Sequence, residues 1–178
     1  MSHRRIGNLR IARAAAASPG FTLLEVIAAI GILGILTMVL VPSFSGSTEI
    51  RLLDNAATRI VMAMQTARWQ AASTKMNHRV RFASAAGRWW FTVERETSAG
   101  TWTQCPGSPP TSVSSNFEVT VTLPTSLDVV FSPTGFIANY QSARNSIALA
   151  SRKLRTLSQP YQRTIRLFAS GSVQFSKT

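Results

Sequence analysis

The longest apolar stretch of the chain runs from Phe21 to Val41 and has the sequence FTLLEVIAAIGILGILTMVLV. Its 21 residues contain one ionisable side chain, that of Glu25. As a helix they would extend about 30 Å, which matches the hydrocarbon thickness of a bilayer. The pattern therefore predicts a membrane-spanning helix. An ionisable group is costly in such a helix, so Glu25 is the first candidate for a functional residue.

The pattern beyond this stretch continues as an amphipathic helix to about residue 76. Apolar residues recur there with steps of three and four, at Ile50, Leu53, Ala57, Ile60, Met64, Ala67 and Ala71. Such a stripe packs against a core far more often than it forms a binding surface, and here we expect it to lie on a sheet. Ser45-Gly46-Ser47 is a candidate interruption of the helix, and an almost continuous helix is the alternative.

The second half of the chain alternates between apolar and polar positions, which is typical of half-buried strands. The positions expected to face inward are Trp89, Phe91, Val93, Phe117, Val119, Val121, Leu123, Leu127, Val129, Phe131, Ile165, Leu167, Val173 and Phe175. The segments Thr97 to Asn116 and Ala138 to Tyr161 are rich in small and polar residues, which favours loops. The result is an α+β fold, a long N-terminal transmembrane and amphipathic helix packed on a C-terminal antiparallel sheet domain.

The residues before the apolar stretch are basic and polar. Met1 to Gly20 contains four arginines and no acid, and no apolar core precedes Ser18-Pro19-Gly20. Basic flanks stay on the cytoplasmic side of a membrane, so the residues beyond Val41 are expected on its opposite side. A secretory signal would carry its apolar core before the cleavage point. We therefore expect the apolar segment to be kept as a single-pass anchor.

Gly20 followed by FTLLEVIAAIGILGIL resembles the prepilin-peptidase site of type IV pilins and type II secretion pseudopilins. The resemblance implies that prepilin peptidase removes the leader, residues 1–20, and that Phe21 becomes an N-methylated terminus. It also implies that Glu25 is needed for subunit assembly. There Glu25 would pair with the Phe21 amine of a neighbouring subunit, because charges in apolar surroundings need partners.

Gly34 and Pro42 fall where major pilins carry helix-loosening residues, and the resemblance implies helix flexibility at both. Proline lacks the backbone N–H, and glycine costs about 1 kcal/mol in a helix. The expected organisation is a leader at 1–20, a transmembrane helix at 21–41 and a periplasmic pilin-like domain at 42–178.

A second resemblance lies near the C-terminus, where Phe131-Ser132-Pro133-Thr134-Gly135-Phe136, Thr164 to Phe168 and Gly171-Ser172-Val173 are similar to the GspH/FimT group of minor pilins. It implies a GspH-like minor pseudopilin of a type II protein secretion system. The implied partners are other pilin-like subunits and secreted cargo. The alternative is a FimT-like minor pilin of a type IV pilus, acting in pilus assembly or DNA uptake. Some FimT-like proteins bind DNA through a basic motif at the last of these turns, where this chain has Ser172.

The charge balance points to an acidic partner without identifying it. From Phe21 onward, 15 Lys and Arg oppose 7 Asp and Glu. Candidate anion or DNA contacts are Arg144, Arg152, Lys153, Arg155, Arg163 and Arg166. Phosphate contacts from such residues would give salt-dependent binding with little sequence preference. The alternatives are a solvated basic face, or one set against acidic neighbours or anionic lipid headgroups.

The sequence offers little material for catalysis. Cys105 is the single cysteine, which excludes an intramolecular disulfide; we expect a free thiol, and pairing with another chain is the alternative. His78 is the single histidine after the leader and is interpreted as a surface residue at the helix end. Metal-ligand spacings, phosphate loops and nucleophile motifs are lacking, so no enzyme activity, cofactor or metal is predicted. The tryptophans at Trp89, Trp90 and Trp102 are expected to pack within the domain rather than to stack on bases.

Overall fold

The computed structural model describes residues 20–124 and 127–178, and at residues 39–45 it describes the backbone without the side chains. Residues 1–19 of the leader and the side chain of Pro42 lie outside this described part. The contacts divide the chain into two compact units between Leu40 and Val41.

The order of the elements is one long helix, a run of strands and one short helix among the last strands. In chain order they are α1 (Leu23–Thr74), β1 (His78–Ala85), β2 (Arg88–Ser98), β3 (Thr101–Gln104), β4 (Thr111–Ser112), β5 (Phe117–Thr122), β6 (Asp128–Phe131), β7 (Ser146–Ser151), α2 (Arg152–Thr156), β8 (Gln162–Leu167) and β9 (Val173–Lys177). This arrangement confirms the α+β class.

Helix α1 begins after Thr22, whose hydroxyl oxygen accepts the backbone N–H of Glu25 at 3.2 Å in the manner of an N-cap. It ends at Thr74, where Lys75 adopts a left-handed conformation with φ 58°. Of the two alternatives at Ser45-Gly46-Ser47, the structure has the uninterrupted helix. The missing side chain of Gly46 leaves room for Gln159, whose amide oxygen would stand 2.9 Å from a Cβ at that position.

The predicted stripe of α1 is confirmed as part of the core. Leu53, Ala57, Ile60, Met64, Ala67 and Ala71 are all fully buried. Ile50 is partly buried and packs against the same cluster. Three of these buried residues, Ala57, Ala67 and Ala71, are alanines, so the stripe consists of small and medium-sized side chains. Each fully buried Leu, Ile or Met contributes about 1.5–3 kcal/mol through removal from water.

The strands form two antiparallel sheets rather than one. The first has the order β3-β2-β1-β6, with β4 also paired to β2. The second has the order β5-β7-β8-β9. Both sheets turn apolar side chains toward the stripe of α1, and the buried strand residues include Val80, Phe82, Phe91, Val93, Ile147, Leu149, Ile165 and Leu167.

Four sequence predictions about the strands are wrong. The segment from Thr97 to Asn116 is not a loop throughout, since it contains β3 and β4, and Phe175, expected to face inward, is 36% exposed. The segment from Ala138 to Tyr161 is not a loop throughout, since it contains β7, a central strand of the second sheet, and α2. Only two bulky apolar residues, Ile147 and Leu149, mark β7, and this weak alternation explains the error. Leu127 does not face inward with Val129; it is a turn residue with φ 53° and is 36% exposed.

Candidate functional site

The predicted assembly segment begins with exposed residues. Phe21 is 83% exposed and Gly20 is exposed. Glu25 lies in the first turn of α1, with its own N–H bonded to Thr22. A carboxylate at this position is stabilised by the unpaired N–H groups and the positive end of the helix dipole. The chemistry available here is the pairing of one carboxylate with a cation of another molecule.

The helix that follows exposes bulky apolar side chains. Those at least 47% exposed are Leu23, Leu24, Val26, Ile27, Ile30, Ile32, Leu33, Ile35, Leu36 and Met38. A contiguous apolar surface of this kind marks an interface with protein or with lipid. Among the residues that the structure describes, no helix combines the length and the apolar character that a membrane crossing requires. The predicted span at 21–41 includes three residues with undescribed side chains, and it stays a prediction.

Gly34 lies inside α1, and nothing would meet a Cβ at that position within 4 Å. The Thr37 hydroxyl donates to the carbonyl oxygen of Gly34 at 2.9 Å and to that of Leu33 at 3.0 Å. Such back-bonding to the preceding turn loosens the helix ladder locally. The flexibility expected at Gly34 and Pro42 stays a prediction, since the side chain of Pro42 lies outside the described residues.

The six cations predicted to contact an anion do not form one surface. Arg163 is a correction to that prediction, because its side chain is only 2% exposed. It donates to Asp54 at 2.5 Å and to the carbonyl oxygens of Pro160 and Gln162. Arg163 therefore ties β8 to α1 and is not available to a partner. Periodicity could not identify this role, because Asp54 is 109 positions away in the sequence.

Asp54 completes this tie with a second cation. Lys177 of β9 donates to its other carboxylate oxygen at 2.9 Å. Burial alone would raise the pKa of Asp54, but the hydrogen bonds and charges of Arg163 and Lys177 hold this pKa below its ordinary value. A second polar tie lies nearby, where the Ser151 hydroxyl donates to the buried Glu49 at 3.0 Å.

The remaining five cations separate into two groups at opposite ends of β7. Arg152, Lys153 and Arg155 are on α2, which follows directly after β7. Arg166 lies opposite Ser146, the first residue of β7, and Arg144 precedes that residue by two positions. A strand of six residues separates the groups by about 20 Å. We call them the α2 cations and the Arg144/Arg166 pair.

The α2 cations are partly compensated by one acid. Arg152 donates to Glu118 at 2.7 Å and Arg155 at 3.0 Å. These hydrogen bonds, that of Arg152 foremost, lower the pKa of Glu118. The side chains of Arg152 and Arg155 nonetheless remain 78% and 50% exposed. Among the described residues, Lys153 has no carboxylate partner.

The turn that matches the DNA-contacting motif of FimT-like proteins has a structural constraint. Gly171 adopts φ 77°, and a Cβ there would overlap the carbonyl oxygen of Gly135. The side chain of Arg68 lies against both glycines. The two turns that carry the second resemblance are therefore stacked on each other, and glycine is required where they meet. Ser172 bonds only locally, to the Ser170 hydroxyl at 2.9 Å.

Sequence reasoning missed a polar network on β1, β2 and β6. Arg79 bonds Glu94 at 2.6 Å and Asp128 at 3.1 Å, and its guanidinium lies 4.3 Å from the Trp102 ring centroid. Burial raises the pKa of Asp128, although Arg79 opposes this effect. The sequence signal for this network was the presence of opposite charges at polar positions of neighbouring strands, Arg79 on β1, Glu94 on β2 and Asp128 on β6. The packing role expected for Trp102 is consistent with this contact.

Two residues considered for chemistry are buried. The surface position predicted for His78 is wrong: it is 2% exposed, and its Nδ1 lies 3.0 Å from the carbonyl oxygen of Met76. Cys105 is a free thiol, 3% exposed, and burial raises its pKa. In the part of the chain that the structure describes, no three His, Cys, Asp or Glu side chains converge as a metal site.

A groove of about 470 Å³ lies beside α1, between Phe91 of the first sheet and Phe117 of the second. Leu52 and Met62 line it and are exposed, and Arg59 is the charged side chain at its wall. The lining offers apolar contact, one cation and the hydroxyl groups of Thr58, Ser112 and Ser114, and it contains no acid, histidine or cysteine that would activate a hydroxyl.

Comparison with known proteins gives a structural relation. No protein-family model matches the sequence, and no curated protein matches it. The structure is similar to that of the minor pseudopilin EpsH from the type 2 secretion system of Vibrio cholerae, with a TM-score of 0.52 and 10% sequence identity. The similarity covers 70% of this chain and 96% of the EpsH chain. The chain therefore has the pilin-like fold of a GspH-type minor pseudopilin.

Proposed function

We propose that this protein is a minor pseudopilin, a subunit of a pilin-like filament assembled from the inner membrane in a type II protein secretion system. The observation that carries the proposal is the coincidence of two features in one chain. A prepilin-type sequence lies at Gly20 and Phe21, and the fold of a minor pseudopilin follows it. Its partners are other pilin-like subunits, prepilin peptidase and the inner membrane, with secreted cargo as a further contact.

The mode of assembly follows from the first turns of α1. Cleavage after Gly20 creates an amine at Phe21, and the exposed apolar side chains between Leu23 and Met38 then bury against lipid or neighbouring helices. In those surroundings a carboxylate and an ammonium stabilise each other, while either one alone is costly. Glu25 of one subunit therefore pairs with the N-terminus of the next and sets the stagger between them.

Intact-mass measurement of protein purified from host membranes tests the processing step. The expected product begins at Phe21 and carries one N-methyl group. Protein recovered from the native host with Met1 and residues 2–20 still attached would refute the proposal.

The Glu25→Val variant tests the assembly step against a matched control, Thr37→Val, in the same helix. We expect Glu25→Val to be cleaved and membrane-bound like the wild type, but to be depleted from isolated filaments. Thr37→Val removes a polar group from the same apolar segment and should be incorporated normally. Equal incorporation of the two variants would remove the role of Glu25.

A type IV pilus minor pilin that takes part in pilus assembly or binds DNA for uptake is the second candidate. The observation that favours it is the exposed Arg144/Arg166 pair, which has no carboxylate partner within the described residues. Titration of the mature protein with duplex DNA over a salt series separates the candidates. Binding that weakens steeply with salt and is lost in Arg144→Gln/Arg166→Gln supports DNA uptake. Absence of binding supports a purely structural subunit.

A further inference from the structure

We propose that the α2 cations, Arg152, Lys153 and Arg155, form a contact surface for anionic phospholipid headgroups at the membrane-proximal end of the globular unit. The inference rests on the proposed function, since it requires that the apolar segment be anchored in a membrane. It adds a second contact between this protein and the bilayer, made by the folded domain itself.

The position of α2 within the globular unit is fixed on both of its sides. Ser151, the N-cap of α2, bonds Glu49 of α1 at 3.0 Å. Beyond the C-terminal end of α2, the Gln159 side chain lies against Gly46. Leu154 between them is fully buried. The α2 cations are thus held against the first described turns of α1 in this unit.

The length of the connecting chain then places these cations near the bilayer. Gly46 follows Val41, the end of the apolar stretch, by five residues. Five residues extend at most about 18 Å in any conformation. Lys75 lies at the opposite end of the helix within this unit, 29 residues or about 44 Å of helix from Gly46. The α2 end is therefore the part of the globular unit with the shortest connection to the anchor, and this connection allows it to reach the headgroups.

The charge at this end suits an anionic surface. Three exposed cations face one carboxylate, that of Glu118, which leaves an excess of positive charge. The other nearby acid, Glu49, is buried and bonded to Ser151. Long basic side chains that are mostly exposed can reach phosphate groups while their backbone stays fixed on the domain. The contact surface is therefore formed by the side chains of Arg152, Lys153 and Arg155, and the backbone N–H groups of α2 take no part in it.

The three lysines of the chain provide a direct assay. Lys153 reports on the α2 surface, Lys75 on the distant end of α1, and Lys177 on the ion pair with Asp54. The mature chain is reconstituted into vesicles of phosphatidylcholine alone or with phosphatidylglycerol. It is then acylated with a membrane-impermeant amine reagent, and peptide mass spectrometry gives the labelling ratio of Lys153 to Lys75.

We expect this ratio to fall about fivefold in the phosphatidylglycerol vesicles at an ionic strength of about 0.1 M, and to recover near 1 M, where screening is nearly complete. Two surface variants bracket the effect. Arg152→Gln removes one cation and should reduce the protection of Lys153. Glu118→Gln removes the compensating acid and should increase that protection.

An equal ratio in the two vesicle types would overturn the inference while leaving the anchor intact. Equal protection of Lys153 by soluble duplex DNA, at the same phosphate concentration and without anionic lipid, would overturn the assignment to lipid. A mature chain that fails to float with either vesicle type would instead refute the membrane anchor of the proposed function, which makes the two failures distinguishable.

Discussion

Replacement of Asp54 by Asn tests how strongly the domain depends on its buried arginine. The Arg163 side chain is 2% exposed and that of Asp54 is 28% exposed. Removal of one partner from a fully buried ion pair costs about 3–5 kcal/mol. Asp54 is partly solvated, and Arg163 keeps its bonds to the carbonyl oxygens of Pro160 and Gln162. We therefore expect Asp54→Asn to lower the free energy of unfolding by about 2–3 kcal/mol.

The assay is urea and thermal unfolding of the mature chain in detergent, followed by circular dichroism of the sheets. For a domain of this size the expected loss corresponds to a decrease in Tm of about 5–10 °C. The matched control is Glu118→Gln, which breaks exposed ion pairs and should leave the midpoint almost unchanged. Equal stability of Asp54→Asn and the control would refute this account of the Arg163 tie.

The pH dependence supplies an independent check. The folded-state pKa of Asp54 lies below its ordinary value of 3.8 because Arg163 and Lys177 outweigh the effect of burial. The stabilisation that Asp54 provides is therefore fully present above about pH 4 and is lost as the pH falls through the folded-state pKa. The stability difference between wild type and Asp54→Asn should be constant near neutral pH and should close in acid. A difference that persists unchanged at about pH 2 would contradict this reasoning.

Three further predictions address other parts of the domain. Gly171→Ala should lower the Tm by several degrees, because the new methyl group would overlap the carbonyl oxygen of Gly135 and because the φ of Gly171 is 77°. Ser172→Ala is the control, and an unchanged Tm in Gly171→Ala would contradict the stacked-turn interpretation. Arg79→Met should cost about 2–4 kcal/mol in urea unfolding, since it leaves Glu94 and Asp128 without their cation, and a loss below about 0.5 kcal/mol would show that this network is dispensable. Cys105 should react with a thiol reagent only after unfolding, because burial both shields the thiol and raises its pKa; rapid reaction of the native protein would contradict its burial.

Local patterns predicted the parts of the fold in which one face of an element is buried. The stripe of α1 could be predicted because seven apolar positions repeat with helical spacing. Strand β8 could be predicted because Ile165 and Leu167 flank the exposed Arg166. Strand β7 was missed because alanine and serine fill its other positions, so the pattern has little contrast. The burial of Arg163 was beyond prediction, since it depends on a carboxylate brought close only by the complete fold.

The candidate assembly segment differs from the folded domain in this respect. Under the proposed function its residues contact other molecules, so contacts within this chain do not test the prediction. Within α1 the core positions after residue 50, among them Ala57, Ala67 and Ala71, are buried within this chain. The positions between Leu23 and Met38 are instead bulky and exposed. Side chains of that size gain free energy only when a partner removes them from water. The sequence thus encodes an internal contact in one half of the helix and leaves the other half exposed for an external one. Under the proposed function, the single carboxylate of the exposed half, Glu25, selects which partner binds and in what register.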